Sequence, residues 1–394
     1  MADGSDNLLL RTYASIHDID ALAWNELANP SPAQFNPFIS QEFLSALEDS
    51  KSVAPETGWT PMHIALEDNG VITGIAPFYA KGHSQGEYIF DHHWADTYER
   101  AGGRYYPKLL SASPFTPVQG GRLLAASQSA KLTLASAIRQ LTERVGASSA
   151  HINFISETDQ ALLKGAGFLP RMGEQFHWFN RGYESFDEFL SALSSRKRKA
   201  LRRERRDAIA KGGAEEVTIK KLVGPEIDEP YWDAFWLFYQ DTGARKWGQP
   251  YLTRTFFRLL AERMPERLLM IIAEINDEPI AGALNLVGGD TLYGRYWGCS
   301  QHIPFLHFEV CYYQAIDFAI EHRLSRVEAG AQGEHKIARG YEPVPTYSAH
   351  WIRDVGFRDA IARYLDAERE QTSMEIEALR SYVPFKGNGK KEGS

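Results

Sequence analysis

The chain has 394 residues, 43% of them hydrophobic and 24% charged, which suffices for two or three ordinary domain cores. A formal net charge of −8 excludes a surface that is basic throughout, and with it binding of nucleic acid or anionic lipid over the whole chain. Two cysteines, Cys299 and Cys311, exclude a disulfide framework; with no apolar run long enough to cross a bilayer and no secretory pattern at the start, the expected location is the cytoplasm.

The first predicted hairpin is Ala65–Gly74 (ALEDNGVITG), two strands around a polar turn. Next comes Phe90–Tyr98 (FDHHWADTY), read as extended, so that the adjacent His92 and His93 point to opposite faces. No HxxxH or CxxC spacing accompanies them, and no metal is expected. With the following YYPKLLSASPFTPVQGGR, this stretch supplies Asp91, His92, Trp94 and Lys108 as candidate substrate contacts; the alternative is a Pro-braced aromatic loop. A helix over Ser129–Val145, a strand over Ala150–Ser156 and a Gly-aromatic turn at Gly167 complete the first half.

Composition shifts near Arg181–Ser185, which divides the chain into domains 1–180 and 181–385 with a Gly/Lys-rich tail over 386–394. A basic helix is predicted over 186–211, ended by Gly212 and Gly213. From Arg196 to Arg206 it carries eight Lys/Arg and one Glu, while Leu190, Leu193, Leu201 and Ala208 share one side. Arg196, Lys197 and Arg198 are candidate phosphate contacts; the alternative is a solvated charged face. A second hairpin follows at Ala273–Gly282 (AEINDEPIAG), then a strand ending in Tyr293–Ser300 (YGRYWGCS), where Arg295 and Trp297 are candidate substrate contacts. The helix Phe305–His322 places Phe308, Cys311, Tyr312, Ala315 and Ala319 on a packed stripe. Glu309 shares its side with Ile316 and Ile320, and a carboxylate among apolar neighbours suits a general base. The segment Glu328–Tyr341 ends a strand in a glycine-punctuated loop holding Gln332, Glu334, His335, Lys336 and Arg339. Such loops are where α/β sheets place ligands, with Glu334 or His335 as acid or base and Lys336 and Arg339 as anion contacts.

The two halves repeat. Gly167–Phe179 aligns without gaps on Gly340–Ile352, superposing Gly167/Gly340, Pro170/Pro343, His177/His350 and Trp178/Trp351. Each half reads as hairpin, helix, strand and closing strand. That order resembles the GNAT acyltransferase fold: α/β, two tandem domains, each a mixed twisted sheet flanked by helices. The second copy is richer in polar groups where its helix begins and is the expected catalytic half.

The strings YYPKLLSASPFTPVQGGRLL, SRKRKALRRERR and FEVCYYQAIDFAIEHRLSRVEAGAQGEHKIARGYEPVPTYSAHWI resemble the bacterial Fem-like family of predicted N-acyltransferases, labelled peptidoglycan biosynthesis/recognition, over about Asn36–Val383. The resemblance implies transfer of an acyl or aminoacyl group to an amine on a cell-wall precursor, with aminoacyl-tRNA or acyl-CoA as co-substrate. It departs from Fem peptidyltransferases in having only the short basic helix for a coiled-coil arm. Acetyl-CoA enzymes use [Arg/Gln]-x-x-Gly-x-[Gly/Ala] after the central strand, and Arg295 to Ser300 is a near miss. The expected base is Glu309, or Glu334 with His335; the expected proton donor is Tyr347 or Tyr313; Lys336, Arg339, Arg295 and Arg196–Arg198 meet anions, and His350 joins the substrate contacts. The competing readings are an acetyl-CoA enzyme with a degenerate loop and a non-catalytic binder of cell-wall fragments or charged RNA.

Overall fold

The computed structural model describes residues 8–210, 216–247, 250–330 and 333–386, leaving aside the side chains of 244–247 and 334. Gly212, Gly213, Gln332 and most of the 386–394 tail lie outside the described residues. The chain forms two units, the first comprising Met1–Pro32, Phe38–Gly173 and Pro345–Ser373, the second Ala33–Pro37, Glu174–Val344 and Met374–Ser394. This differs from a single boundary near Arg181, and the strands explain why.

The first half contributes β1 (Leu8–Tyr13), β2 (Trp59–Pro61), β3 (His63–Asp68), β4 (Val71–Ala76), β5 (Tyr79–Lys81), β6 (Lys108–Ser111), β7 (Leu124–Ala125), β8 (Ser149–Ile155) and β9 (Leu169–Phe179). The second contributes β10 (Thr218–Val223), β11 (Leu268–Ile275), β12 (Glu278–Val287), β13 (Thr291–Cys299), β14 (Arg326–Glu328) and β15 (Glu342–Ile352). Both predicted hairpins form, as β3–β4 and β11–β12. Their turns hold φ of 50° and 82° at Asn69 and Gly70, and 52° and 63° at Asn276 and Asp277. Positive φ at both central residues matches the twist of the flanking strands. Each hairpin also carries a bulge at the same offset from its turn, between Leu66 and Glu67 and between Ala273 and Glu274.

Parallel pairs need a crossover, and each unit has one. The helix Gln128–Arg144 lies between β6 and β8, which pair in parallel. A helical segment from Leu306 to Glu321 lies between β13 and β14, also parallel. The closing strands, however, are exchanged. β8 pairs with β15, opposing His151 to His350, and β14 pairs with β9, opposing Glu328 to His177. The first unit therefore holds one sheet in the order β1-β3-β4-β7 and another in the order β15-β8-β6-β5-β2; the second holds β10-β11-β12-β13-β14-β9. Leu134, Ile138 and Leu141 pack on Ile152 and Trp351 in the first core, and Ile316, Ala319 and Ile320 pack on Leu292 and Val327 in the second.

Two local expectations are corrected. Phe90–Tyr98 is not a strand: His92–Arg100 is helical. The basic helix is two helices, Phe186–Ala192 and Ser195–Ala210, because Leu193 turns extended (ψ 158°) and bridges to Phe385. Leu190, Leu193, Leu201 and Ala208 are nonetheless all buried, as their shared stripe requires. No described helix is long and apolar enough to cross a membrane.

Candidate active site

In the second unit β13 ends at Cys299, and the chain restarts as helix Leu306–Phe308 after Phe305, which sits at φ 67°. The next turn, Glu309–Tyr313, is a π-helix: the Gln314 N–H bonds the Glu309 carbonyl, five residues back. One extra residue in a turn rotates everything before it relative to everything after. Phe308 and Cys311, expected on the packed stripe, are consequently half-buried, while Glu309, Val310 and Tyr313 are buried. The loop and the first helical turn wall a cavity of ≈ 580 Å³ with Trp297, Cys299, Phe305, His307 and Phe308 among its lining.

The basic helix clamps this π-turn. Arg205 donates to both Glu309 oxygens (3.1 Å from Nε to Oε2, 2.9 Å from Nη2 to Oε1) and to Asp317 at 2.7 Å. Gln314 Nε2 donates to Glu309 Oε1 at 2.7 Å, the five-residue spacing stacking the two side chains. Burial opposes the Arg205 charge, but Glu309 and Asp317 outweigh it and hold its pKa above the ordinary value. The environment expected for Glu309 is thus corrected: its carboxylate is not among apolar groups but saturated by a guanidinium and an amide. The neighbouring Glu204 accepts from Tyr313 OH and, at 2.8 Å, from Arg339 Nη2. Arg339 lies 3.4 Å over the Phe308 ring.

His335 completes the group. Its Nε2 is 2.9 Å from Tyr312 OH, and its ring centroid is 5.8 Å from that of Phe308 and 6.4 Å from that of His307, both cavity walls. His335 is exposed as a residue, yet partial desolvation of its ring, then the charges of Lys336 and Arg339, lowers its pKa from the ordinary 6.5, which favours the neutral imidazole at pH 7. Lys336 is buried, with Nζ donating to the Gly330 carbonyl at 3.0 Å. Glu334 lies on the same short helix, its side chain outside the described set. Gly333 sits at φ 120°, and a Cβ there would lie 2.4 Å from His335 Cε1. Gly333→Ala should therefore displace the imidazole and cut any His335-dependent rate at least about tenfold; in a His335→Ala background it should change the rate no further.

The other candidates are distributed. Trp297 lines the cavity. Arg295 is buried, its guanidinium on the Gly294 carbonyl at 3.0 Å and Glu328 Oε2 at 3.4 Å, so it is corrected from an anion contact to an internal ion pair. Arg196 is exposed and Lys197 and Arg198 half-buried in the first turn of the basic helix. Tyr347 belongs to the first unit, opposite Ile155 on β15 and β8. Tyr312, Glu204 and Arg205 were not singled out, because helical periodicity assigns Tyr312 to packing and a charge run hides its two structural members.

The first unit brings Asp91, Trp94, Lys108 and His350 together, in its interior: their exposures are 2%, 1%, 0% and 1%. Lys108 Nζ donates to Asp91 Oδ2 at 2.5 Å, Glu87 Oε2 at 2.8 Å and Ser84 Oγ at 2.7 Å. Tyr105 OH donates to Asp91 at 2.7 Å. Cross-strand register places Lys81 directly opposite Lys108, and burial pushes Lys81 down and Glu87 up, each to about 7. His151 and His350 approach to 2.7 Å through their Nδ1 atoms, and burial drives His151 to about 3 and His350 well below its ordinary value. Substrate contact at these residues would require this unit to open. His92, by contrast, is exposed and stacks on Phe90.

A family described as FemAB-like, peptidoglycan biosynthesis/recognition, matches residues 15–387. No curated protein matches the chain. Among solved structures, FemX superposes with a TM-score of 0.54 at 14% identity, covering 87% of this chain and 98% of that one. The C-terminal domain of a putative lysylphosphatidylglycerol synthetase from Agrobacterium fabrum gives 0.53 at 10% identity, covering 90% and 97%. A conserved protein of unknown function from Bacteroides thetaiotaomicron gives 0.51 at 9%, covering 87% and 100%. At such identities the likeness is one of fold, a mixed α/β architecture in tandem.

Proposed function

Since the chain belongs to the FemAB-like peptidoglycan biosynthesis/recognition family, we propose that it is a cytoplasmic N-acyl- or aminoacyltransferase whose chemistry is carried by its second unit. The observation that carries this reading is the Tyr312–His335 pair, bonded at 2.9 Å and set one ring's width from the cavity walls His307 and Phe308. Acyl transfer to an amine needs a base that is unprotonated at neutral pH and is held in place to take the proton and return it to the leaving group. In the reaction the amine nitrogen attacks the acyl carbonyl and gives its proton to neutral His335. The C–N bond forms, the carbonyl bond to the donor's oxygen or sulfur breaks, and the proton passes from His335 to that leaving group, with Tyr312 orienting the imidazole. Glu309 is not assigned the base role, because its two oxygens are taken up by hydrogen bonds from Arg205 and Gln314. Tyr313 is not assigned the donor role, because it is committed to Glu204.

The basic helix, led by Arg196, Lys197 and Arg198, supports a phosphate-bearing donor such as an aminoacyl-tRNA. Acetyl-CoA fits less well. The glycine of its near-miss loop, Gly298, has another reason to be glycine: a Cβ there would meet the Phe238 carbonyl oxygen at 2.1 Å. The acceptor in this reading is an amine on a cell-wall precursor.

The test is mass spectrometry of mixtures containing the protein, a lysine-bearing cell-wall peptide and either aminoacyl-tRNA or acetyl-CoA. Amide product is expected from aminoacyl-tRNA, and His335→Ala should slow it about 10²–10⁴-fold. Because the working form is neutral His335, the rate should rise with pH through a midpoint below 6.5 and level off above it. No amide from either donor, or undiminished turnover in the His335 variant, would overturn the assignment.

A further inference from the structure

The cavity has a chemical character of its own. Trp297 and His307 meet edge to face with centroids 5.1 Å apart at 69°, and His307 is 5.6 Å from Phe308. Walls of this kind favour another ring, whose edge or face finds a complementary quadrupole in addition to apolar burial. The described polar lining consists of a hydroxyl, an amide, a thiol and two imidazoles, from Thr242, Gln301, Cys299, His302 and His307. No described lining residue is an aspartate or glutamate, so a cation entering here would be desolvated without a counter-charge. None of the described lining residues is an arginine or lysine either, so among the described residues the basic helix is the better match for the donor's phosphates. At ≈ 580 Å³ the space also exceeds what an acyl group of a few atoms would fill. Finally, its walls stand within 6.4 Å, ring to ring, of His335. A group seated in it is therefore only a few bonds from the carbonyl that His335 serves.

We propose that this cavity is the acyl-side specificity pocket and takes a bulky, uncharged, ring-bearing acyl group. The proposal rests on the transfer reading above and narrows its donor class. In the reaction the ring stays seated while the acyl carbonyl moves from donor oxygen or sulfur to acceptor nitrogen, so the pocket selects the substrate without joining the proton transfers.

The full-length protein is titrated by calorimetry and saturation-transfer NMR with four probes: N-acetyl-phenylalaninamide, N-acetyl-glycinamide, N-acetyl-lysinamide and adenosine. The phenyl probe alone is expected to bind. Trp297→Leu, which removes a wall, and Cys299→Phe, which fills the space, should each weaken it roughly tenfold or more while thermal unfolding stays unchanged. Equal binding of the glycyl or lysyl probe, displacement of the phenyl probe by adenosine, or phenyl binding untouched by both substitutions would each overturn the proposal. The two readings fail separately. His335-dependent amide formation from a small acyl donor, with no preference for ring-bearing ones, removes the pocket assignment and leaves the transferase. Ring binding without amide formation from any donor removes the transferase and leaves the site as a ring-binding pocket.

Discussion

Replacing Lys108 by methionine should destabilise the first unit by about 3–5 kcal/mol, because it leaves Asp91 buried without its bonded cation and Glu87 with only Lys81, 3.8 Å away. The magnitude follows from the asymmetry of buried ion pairs. The intact pair roughly cancels its own desolvation, but the survivor of a broken pair keeps the cost with no return. Three acceptors converge on the Lys108 ammonium, so no water or surface group can stand in. Adding Asp91→Asn and Glu87→Gln should recover most of the loss, since neutral groups are cheaper to bury. Urea unfolding measures both, and a loss under about 1 kcal/mol for Lys108→Met would refute the account.

The same unit should be acid-sensitive in a particular way. His151 and His350 are neutral when folded, with pKa values below the 6.5 of the unfolded chain. Below 6.5 the unfolded chain takes up protons that the folded one refuses, so stability falls with pH by about 1.4 kcal/mol per unit for each histidine. Glu87, pushed up to about 7 by burial, acts in the opposite direction until the unfolded carboxyl titrates near 4.5. Its opposition then ends. Stability should drop gently between about pH 6.5 and 4.5 and more steeply below, and unfolding midpoints at about pH 7, 5.5 and 4 test the change of slope.

The second large effect is expected in the other unit. Arg205→Ala should cost about 3–5 kcal/mol, because Glu309 is wholly buried and Arg205 is its cation. Arg205→Met with Glu309→Met should be far less harmful than the sum of the single changes, a coupling of about 1–3 kcal/mol in a double-mutant cycle. If the two changes were additive, the clamp would be no more than a contact on a surface. The rate should follow the geometry. Glu309 opens the π-turn that presents Tyr312, so a folded Arg205 variant should lose kcat while its acceptor KM changes little.

Much of the architecture was legible in the sequence for reasons of periodicity. The hairpins, the helix at 128–144 and the two closing strands follow from alternation, turn residues and the His-Trp repeat. The exchange of those closing strands was not legible, because what β9 and β15 share, the aligned Pro, His and Trp, does not tell which of them joins β8 and which joins β14. Which residues stand together in the candidate site was more legible than what each of them touches. His335, Arg339 and Glu309 announced themselves as polar groups in a glycine-rich loop and on an apolar face. The partner of Glu309 did not, since Arg205 is one of eight basic residues in a short run and nothing local distinguishes it. Tyr312 is packed in the core as its periodicity requires, and nothing in the spacing shows that its hydroxyl also reaches His335. Asp91 and Lys108 looked like surface chemistry because charged residues usually are; their burial depends on Glu87, Ser84 and Tyr105, which no spacing links to them.

The exchanged strands have a consequence for how the protein is made. A ribosome delivers β8 long before β15, with roughly 200 residues of chain between them, about 10–40 s of elongation at ordinary bacterial speeds. Throughout that interval the nascent first unit exposes an open backbone edge along β8, with His151 awaiting its opposite number. The strand nearest to hand is β9, the repeat copy of β15, so a mispairing of β8 with β9 would compete with the native arrangement from the moment β9 emerges. Occupation of that edge by a chaperone or a transient local strand until translation is nearly finished would suppress this mispairing.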